Sequence, residues 1–178
     1  MEGLTIQIFE LISQQVLKLR ISELSREIND RFENRDIVII CVLKGAAAFM
    51  ADLTPQLNFS FAADCIELAS YHNFTSAGRI NLIRDATIDI AGKDVLIVED
   101  IVDTGRTLQF LHSHLSAKNP LSLRVCTLLD NPERRLMDSP SPDYVGFTIP
   151  NKFVVGYGLD YDQEYRNLPY IATISGGH

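Results

Sequence analysis

The residues best suited to chemistry lie in one short run, residues 95–108, which reads VLIVEDIVDTGRTL. An apolar strand over 95–98 leads to Glu99 and Asp100, and Asp103-Thr104-Gly105-Arg106-Thr107 then turns into a predicted helix. Small and hydroxyl-bearing residues at a helix start direct several backbone N–H groups to one point, where the helix dipole also favours an anion. We therefore expect residues 103–107 to bind a phosphate group through backbone amides and hydroxyls.

The two acids before this cradle need a different partner. A phosphate would be repelled by Glu99 and Asp100, so we expect them to face sugar hydroxyls, a divalent cation or a developing positive charge. Taken alone, paired acids after a strand are about as often a helix cap and its solvated neighbour. The whole run is more specific, and it differs from the Gly-rich spacings of nucleoside-triphosphate loops and dinucleotide folds.

Alternating strands and helices must position these residues. The apolar and turn patterns predict strands over 37–42, 65–69, 81–90, 95–98, 123–129, 144–149, 153–157 and 171–175. They predict helices after Ser13 and over 46–53 and 107–115, and loops over 70–78 and 131–142. This order is typical of an α/β fold with a mainly parallel sheet, in which ligands bind beyond the carboxyl ends of the strands. Lys44-Gly45 and residues 99–107 both follow such strands.

Composition restricts the partners and the compartment. The length of 178 residues favours a single domain over 1–178, and the net charge of −7 disfavours a nucleic acid or an anionic membrane as partner. No apolar stretch approaches the ~20 residues that span a bilayer, and the N-terminal residues do not resemble a signal peptide. The three cysteines lie in separate apolar stretches, so we expect buried, reduced thiols in a cytoplasmic protein.

The run 95–108 resembles the phosphoribosyl-pyrophosphate motif of the type I phosphoribosyltransferases. Further segments narrow the resemblance to the hypoxanthine-guanine phosphoribosyltransferases; they are VLKG at 42–45, YVGFTI at 144–149, KFVVGYG at 152–158, LDY at 159–161 and RNL at 166–168. The resemblance implies the type I fold, with a mainly parallel central sheet flanked by helices, a small hood of late strands and a mobile active-site loop over 70–84. It also implies purine salvage, in which phosphoribosyl pyrophosphate and hypoxanthine or guanine give the nucleotide and pyrophosphate.

The resemblance assigns roles around the sugar and its phosphates. It implies that Asp103 is catalytic and removes the proton from purine N7, and that residues 103–107 hold the 5′-phosphate. Glu99 and Asp100 are implied to bind the ribose hydroxyls directly or through Mg²⁺. Lys44, Gly45 and Arg166 are implied to contact pyrophosphate, and the peptide bond before Lys44 is one that the family can hold in the cis form.

The purine side is assigned in the same way. The resemblance implies that Phe153 stacks on the purine and that backbone groups of Val154 and Asp160 meet its edge. Asp160 is implied to bind a second Mg²⁺. Ser70 and Tyr71 belong to the segment that resembles the closing loop.

One position departs from the family pattern. Where the family carries a lysine that donates to the purine 6-oxo group, this chain has Asn131, whose neutral amide either donates or accepts. We expect weaker discrimination against adenine than a lysine provides, with Arg134 or Arg135 as alternative donors. A phosphoribosyltransferase for xanthine or adenine, or a nucleotide-sensing regulator on the same fold, stays open. The resemblance further implies a homodimer or homotetramer.

Overall fold

The computed structural model describes residues 6–73, 76–136 and 139–175, and within 70–79 it describes the backbone alone. These residues form nine strands and three α-helices. The strands are β1 (Gln7–Ile12), β2 (Ile37–Leu43), β3 (Ala62–Asn73), β4 (Ser76–Arg84), β5 (Asp94–Val102), β6 (Ser122–Asp130), β7 (Tyr144–Thr148), β8 (Val154–Val155) and β9 (Ile171–Ser175). The helices are α1 (Gln14–Phe32), α2 (Ala47–Leu53) and α3 (Arg106–Ser116).

The central sheet has the strand order β4-β3-β2-β5-β6-β7. Its neighbouring strands are parallel except for β4, which pairs antiparallel with β3. Residues 37–42 of β2 and 94–99 of β5 are buried throughout, as expected for strands with a layer on both faces of the sheet. The parallel strands bring the carboxyl ends of β2, β5 and β6 to the same edge.

Helices cover the two faces of this sheet. Ser13 caps α1 by accepting a hydrogen bond from Val16 N at 3.3 Å. The apolar residues that recur at steps of three and four along α1 are all buried; they are Leu17, Ile21, Leu24, Ile28 and Phe32. The buried face of α3 packs into a second apolar cluster; its residues are Leu108, Leu111 and Leu115. Each such buried side chain stabilises the fold by ~1.5–3 kcal/mol, so both layers hold the sheet in place.

A second, three-stranded sheet has the order β1-β9-β8. Both of its strand pairs are antiparallel, and β8 and β9 are among the late strands expected to form a hood. The sequence pattern did not predict β1, because residues 7–12 read QIFELI and show no regular alternation of apolar and polar residues. Pairing with β9, far away in the chain, makes this segment a strand.

The predicted loop over 70–78 is wrong for residues 70–73 and 76–78. These residues extend β3 and β4 into a long antiparallel hairpin, with Ser70 opposite Ile80 and Tyr71 opposite Arg79. Polar, turn-rich composition predicted a loop, but cross-strand pairing satisfies the backbone here. In addition, β4 ends at Arg84 rather than at 90, and β5 continues to Val102, so Glu99 and Asp100 lie on the strand.

The cysteines are free, as expected, but they differ in burial. Cys41 and Cys126 are buried, and burial raises the pKa of the Cys41 thiol to about 12. The expectation is wrong for Cys65, which is only half-buried. None of the helices in the described ranges has the length and apolar character needed to cross a membrane.

Candidate active site

A cleft of about 440 Å³ opens at the carboxyl edge of the central sheet. Its lining comes from the ends of β2 and β5, the start of α3, the inner part of the β3–β4 hairpin and the late loop near Asp160. Of the sequence-predicted site residues, it includes Lys44, Gly45, Glu99, Asp100, Asp103, Thr104, Gly105, Arg106, Thr107, Asp160 and Arg166. The parallel topology thus brings together segments that are far apart in the chain.

The first turn of α3 forms one wall of the cleft. Its leading amides have no partner within the helix, since the first four N–H groups of a helix never do. Gly105 precedes the helix with φ of 81°, and a Cβ at this position would overlap the Ser139 side chain. Glycine therefore allows both the left-handed turn and the close packing of the cradle.

Arg135 contacts the backbone at the start of the cradle, a role that the sequence did not predict. Its guanidinium donates to the carbonyls of Val102 and Asp103 at 3.3 and 3.1 Å and to Pro140 O at 3.2 Å. It also pairs with the Asp130 carboxylate. These contacts link the loop that follows β6 to the start of the phosphate cradle.

Of the paired acids on β5, Glu99 is buried and Asp100 is half-buried, and within the part of the chain that the structure describes Glu99 forms no ion pair. Burial, together with the neighbouring Asp100 carboxylate, raises the pKa of Glu99 well above its ordinary value. Burial also raises the pKa of Asp100 to about 6, although backbone N–H groups and Arg166 act in the opposite direction. A cation or several hydroxyl donors in the cleft would stabilise the ionised forms of these carboxyls.

The Lys44–Gly45 segment packs directly against Asp100. A Cβ at Gly45 would overlap the Asp100 carboxylate, so only glycine allows the two chains to approach this closely. The Leu43–Lys44 peptide bond is cis, as the resemblance implied. Lys44 itself is exposed and lines the cleft.

Asp160 and Arg166 form an ion pair in the lining of the cleft. Asp160 Oδ1 lies 2.8 Å from Arg166 Nη2, and Oδ2 accepts from Gln163 N at 2.9 Å. Arg166 Nη1 also donates to Gly158 O at 2.7 Å. A bound anion would compete with Asp160 for this guanidinium.

In the described part of the chain, Asp103 pairs through only one of its carboxylate oxygens. Its Oδ2 lies 2.7 Å from Arg134 Nη1, while Oδ1 is buried and has no hydrogen-bond partner among the described residues. Burial raises the pKa of Asp103, and Arg134 and Arg135 partly oppose that shift. A carboxylate with one unused oxygen and a raised pKa suits a proton acceptor.

Three predicted purine contacts do not line this cleft. Asn131 is only 2% exposed, and its Oδ1 has no partner within the described chain. Val154 is buried in β8, whereas Phe153 is 55% exposed and meets the Tyr161 ring edge-on at 5.6 Å. The side chains of Ser70 and Tyr71 lie outside the described residues.

No group of three or more histidine, cysteine, aspartate or glutamate side chains in the described ranges is placed to hold a metal ion by itself. Glu99, Asp100 and Asp160 therefore do not form a cage made of protein alone. Mg²⁺ commonly binds through one or two carboxylates together with substrate phosphates and water. These three acids fit that shared arrangement, since nearby cations would favour their ionised forms.

Comparison with known proteins adds independent information. The family model for the phosphoribosyl transferase domain matches residues 10–162. The hypoxanthine phosphoribosyltransferase of Escherichia coli K12 is 44% identical over 167 residues, which cover 92% of this chain and 93% of that protein. The bifunctional protein TilS/HprT of Listeria monocytogenes is 44% identical over 165 residues, and the match covers 92% of this chain but only 25% of that protein.

Solved structures agree with the architecture described above. A hypoxanthine-guanine phosphoribosyltransferase from Bacillus anthracis superposes with a TM-score of 0.88 at 42% identity, covering 96% of this chain and 99% of that chain. A hypoxanthine phosphoribosyltransferase from Staphylococcus aureus gives a TM-score of 0.89 at 39% identity, covering 94% and 91%. The predicted α/β fold class is confirmed.

Proposed function

The chain belongs to the phosphoribosyltransferase family, as its motifs predicted, and we propose that it transfers the 5-phosphoribosyl group of phosphoribosyl pyrophosphate to hypoxanthine or guanine. The products are the purine nucleotide and pyrophosphate. One observation carries the proposal: a single cleft collects the first-turn amides of α3, the paired acids Glu99 and Asp100, and the cations Lys44 and Arg166. A sugar with a phosphate at one end and a diphosphate at the other needs all three.

The two phosphate-bearing ends of the substrate bind at different parts of the cleft. The amides and hydroxyls of Thr104 to Thr107 hold the 5′-phosphate at the N-terminus of α3. Lys44 and Arg166 bind the pyrophosphate, and the backbone at Gly45 approaches it closely. A guanidinium suits phosphate because it donates two parallel hydrogen bonds. Glu99 and Asp100 lie between these parts and face the ribose hydroxyls.

Asp103 is the proton acceptor in this reaction. The purine N9 lone pair forms the new bond to the anomeric carbon, the carbon–oxygen bond to pyrophosphate breaks, and the N7 proton passes to the Asp103 carboxylate. Removing that proton raises the electron density on N9 as positive charge leaves the sugar. The unpartnered Oδ1 of Asp103 supports this role, because it is an acceptor that the fold leaves unused.

The purine ring lies against the hood, where Phe153 offers an exposed aromatic face. Val154 and Asp160 present backbone groups to the purine edge, and Asn131 lies buried behind it. Ser70 and Tyr71 belong to the hairpin that covers the cleft in this proposal. Leu68 and Ile80 support it, because both line the cleft at the inner part of the same hairpin.

Mg²⁺ is the cofactor in this proposal. Glu99 and Asp100 would hold one ion together with ribose hydroxyls, and Asp160 would hold a second with pyrophosphate oxygens. When bound, the ions neutralise charge on the leaving group. Excess chelator is expected to abolish turnover, and added Mg²⁺ to restore it. Undiminished turnover in chelator would remove the metal from the proposal, and calorimetric titration of Mg²⁺ in the presence of phosphoribosyl pyrophosphate gives a readout without turnover.

A panel of bases tests the function itself. Hypoxanthine, guanine, xanthine and adenine are each supplied with phosphoribosyl pyrophosphate and Mg²⁺, and nucleotide formation is followed by absorbance. We expect the highest kcat/KM with hypoxanthine or guanine. Preference for xanthine or adenine would show that the proposed base is wrong. Tight nucleotide binding without turnover on any base would favour a nucleotide-sensing regulator instead of an enzyme.

We extend the proposal to the domain organisation, compartment and oligomeric state of the protein. A single phosphoribosyltransferase domain spans residues 1–178, and the pairing of β1 with β9 supports this because it joins segments from opposite ends of the chain. The protein works in the cytoplasm as a homodimer or homotetramer, without nucleic acid or membrane as partner. The net charge of −7 supports the last point.

A further inference from the structure

The Asp103–Arg134 pair places an acceptor and a donor side by side in the cleft. Asp103 Oδ2 and Arg134 Nη1 are 2.7 Å apart, and both residues line the cavity. Asp103 keeps Oδ1 without a partner in the described chain. A guanidinium carries five N–H donors, so Arg134 retains others after contacting one carboxylate oxygen.

The neighbouring Arg135 does not offer the same freedom. Its side chain is only 14% exposed, and its donors are already used by three backbone carbonyls and by Asp130. The Arg134 side chain is 49% exposed, and within the described ranges its only recorded partner is Asp103. Arg134 is therefore the arginine of this loop that can turn toward a ligand.

The Asn131 side chain is not placed to contact a ligand in the cleft. It is 2% exposed and absent from the cleft lining, and its backbone accepts from Arg134 N at 3.3 Å. The amide therefore lies behind Arg134 rather than in front of it. The short helical turn Pro132–Arg134 carries Arg134 past the buried asparagine and into the cavity.

A 6-oxopurine presents a matching edge. Its N7 and O6 lie next to each other, and arginine is the residue that most often reads that edge. When N7 carries a proton, the edge reads donor then acceptor, which complements the carboxylate and guanidinium in the cleft. Adenine instead presents its 6-amino group, a donor, to the guanidinium.

We propose that Arg134 is a specificity-determining residue, which donates from its guanidinium to purine O6 while the adjacent Asp103 accepts the N7 proton. The inference rests on the proposed function and names the group that selects 6-oxopurines. It requires Arg134 to stay near Asp103 when the base binds, with a second N–H turned to O6.

The test compares Arg134→Met and Arg134→Lys with the unmodified protein on hypoxanthine and on unsubstituted purine, which has no 6-oxo group. Arg134→Met is expected to raise KM for hypoxanthine by about 10- to 100-fold, as for loss of a charged hydrogen bond. The values for unsubstituted purine and the KM for phosphoribosyl pyrophosphate should change little. Arg134→Lys retains a donor and should recover part of the loss.

Arg124→Met is the matched control. It removes an arginine that pairs with Asp143 at 2.5 Å and does not line the cleft, so selectivity should be unchanged. Thermal unfolding of each variant checks that it is folded. An equal loss with hypoxanthine and unsubstituted purine would show that Arg134 acts only through the charge of Asp103 and would overturn the inference, as would no loss.

A binding measurement separates this inference from the proposed function. The dissociation constants of inosine monophosphate and of the nucleotide of unsubstituted purine are measured by calorimetry. Arg134→Met should weaken the first selectively, even if the chain turns over none of the bases. Equal or absent weakening overturns the inference, whereas lack of turnover with selective weakening contradicts only the proposed function.

Discussion

Asp64 lies near the start of β3 and Asp103 directly after the end of β5, yet the two carboxylates have opposite surroundings. Asp64 is 9% exposed, and it accepts from the backbone N–H groups of Cys65, Thr87 and Ile88 at 2.7, 2.6 and 3.1 Å. Burial raises its pKa, but these hydrogen bonds outweigh burial and bring the pKa to about 2. Asp103 has one ion-pair partner, an unused oxygen and a raised pKa.

These hydrogen bonds and pKa shifts indicate that Asp64 supports the structure, whereas Asp103 is available for chemistry. Every strong donor near Asp64 belongs to the protein, so its ionised form is stabilised before any ligand arrives. In the cleft, no group of the described structure donates to Glu99 in this way, and the donors to Asp100 and Asp103 do not outweigh burial, so burial raises the pKa of all three acids. Hydrogen-bond saturation, rather than burial alone, thus distinguishes the two regions.

The largest expected effect is on turnover at Asp103. Asp103→Asn should lower kcat by about 10²-fold or more, since a positioned general base contributes that much. KM for phosphoribosyl pyrophosphate should change little, because the backbone cradle survives. Glu133→Gln, on an exposed acid of the next loop that does not line the cleft, is the control. Near-native kcat would reduce Asp103 to a structural acid like Asp64.

The corresponding change at Asp64 should act on stability instead. Asp64→Asn places an amide donor against backbone N–H groups and should lower the free energy of unfolding by about 2 kcal/mol at pH 7. Because the pKa of Asp64 is lowered, its contribution is complete above the ordinary value of 3.8 and is lost as pH falls toward 2. Urea unfolding measures the change.

Asp89→Asn serves as the control for this variant, since Asp89 is exposed and accepts one amide at 3.0 Å. It should change the unfolding free energy by less than about 0.5 kcal/mol. Equal effects at Asp64 and Asp89 would show that the hydrogen bonds to Asp64 do not stabilise the fold.

A smaller effect is expected where the family lysine is absent. In the Arg134→Met background, Asn131→Lys should raise kcat/KM for hypoxanthine by about tenfold, because it restores a charged donor to O6. In the unmodified protein the same change should have less effect, since Arg134 already donates. Steady-state kinetics on the unmodified protein, the two single variants and the double variant check this, and an equal gain in both backgrounds would count against it.

The smallest expected effect is a gain in stability at Asp100. In chelator-treated protein at pH 7, Asp100→Asn should raise the unfolding free energy by about 1 kcal/mol. The pKa of Asp100 is raised from 3.8 to about 6, so its ionisation destabilises the native state progressively as pH rises through that window. The gain should vanish below about pH 3, where Asp100 is protonated in both the folded and the unfolded chain, and a gain that persists there would contradict the assignment.

The sequence by itself determined the family, the parallel α/β plan and most of the cleft. The phosphate cradle at 103–107 and the buried face of α1 are local patterns, in which spacing along the chain sets which groups share a face. Eleven of the predicted site residues accordingly line one cavity. The carboxyl-edge rule for parallel sheets then placed Lys44 and Glu99 near each other.

Only the tertiary structure decided how each charged group is satisfied. The sequence singles out Asp103 by its motif, but it does not predict the hydrogen bonds of Asp64 or which of Arg134 and Arg135 is free. This is because partners such as Thr87 for Asp64 and Arg134 for Asp103 lie more than 20 residues away. Likewise, β1 became a strand through long-range pairing with β9, and the outer part of the β3–β4 hairpin through cross-strand pairing that its polar composition did not predict. Local patterns predict periodic elements well. The hydrogen bonds of a charged side chain, its exposure and the pairing of a strand depend instead on which other segments the fold places beside it.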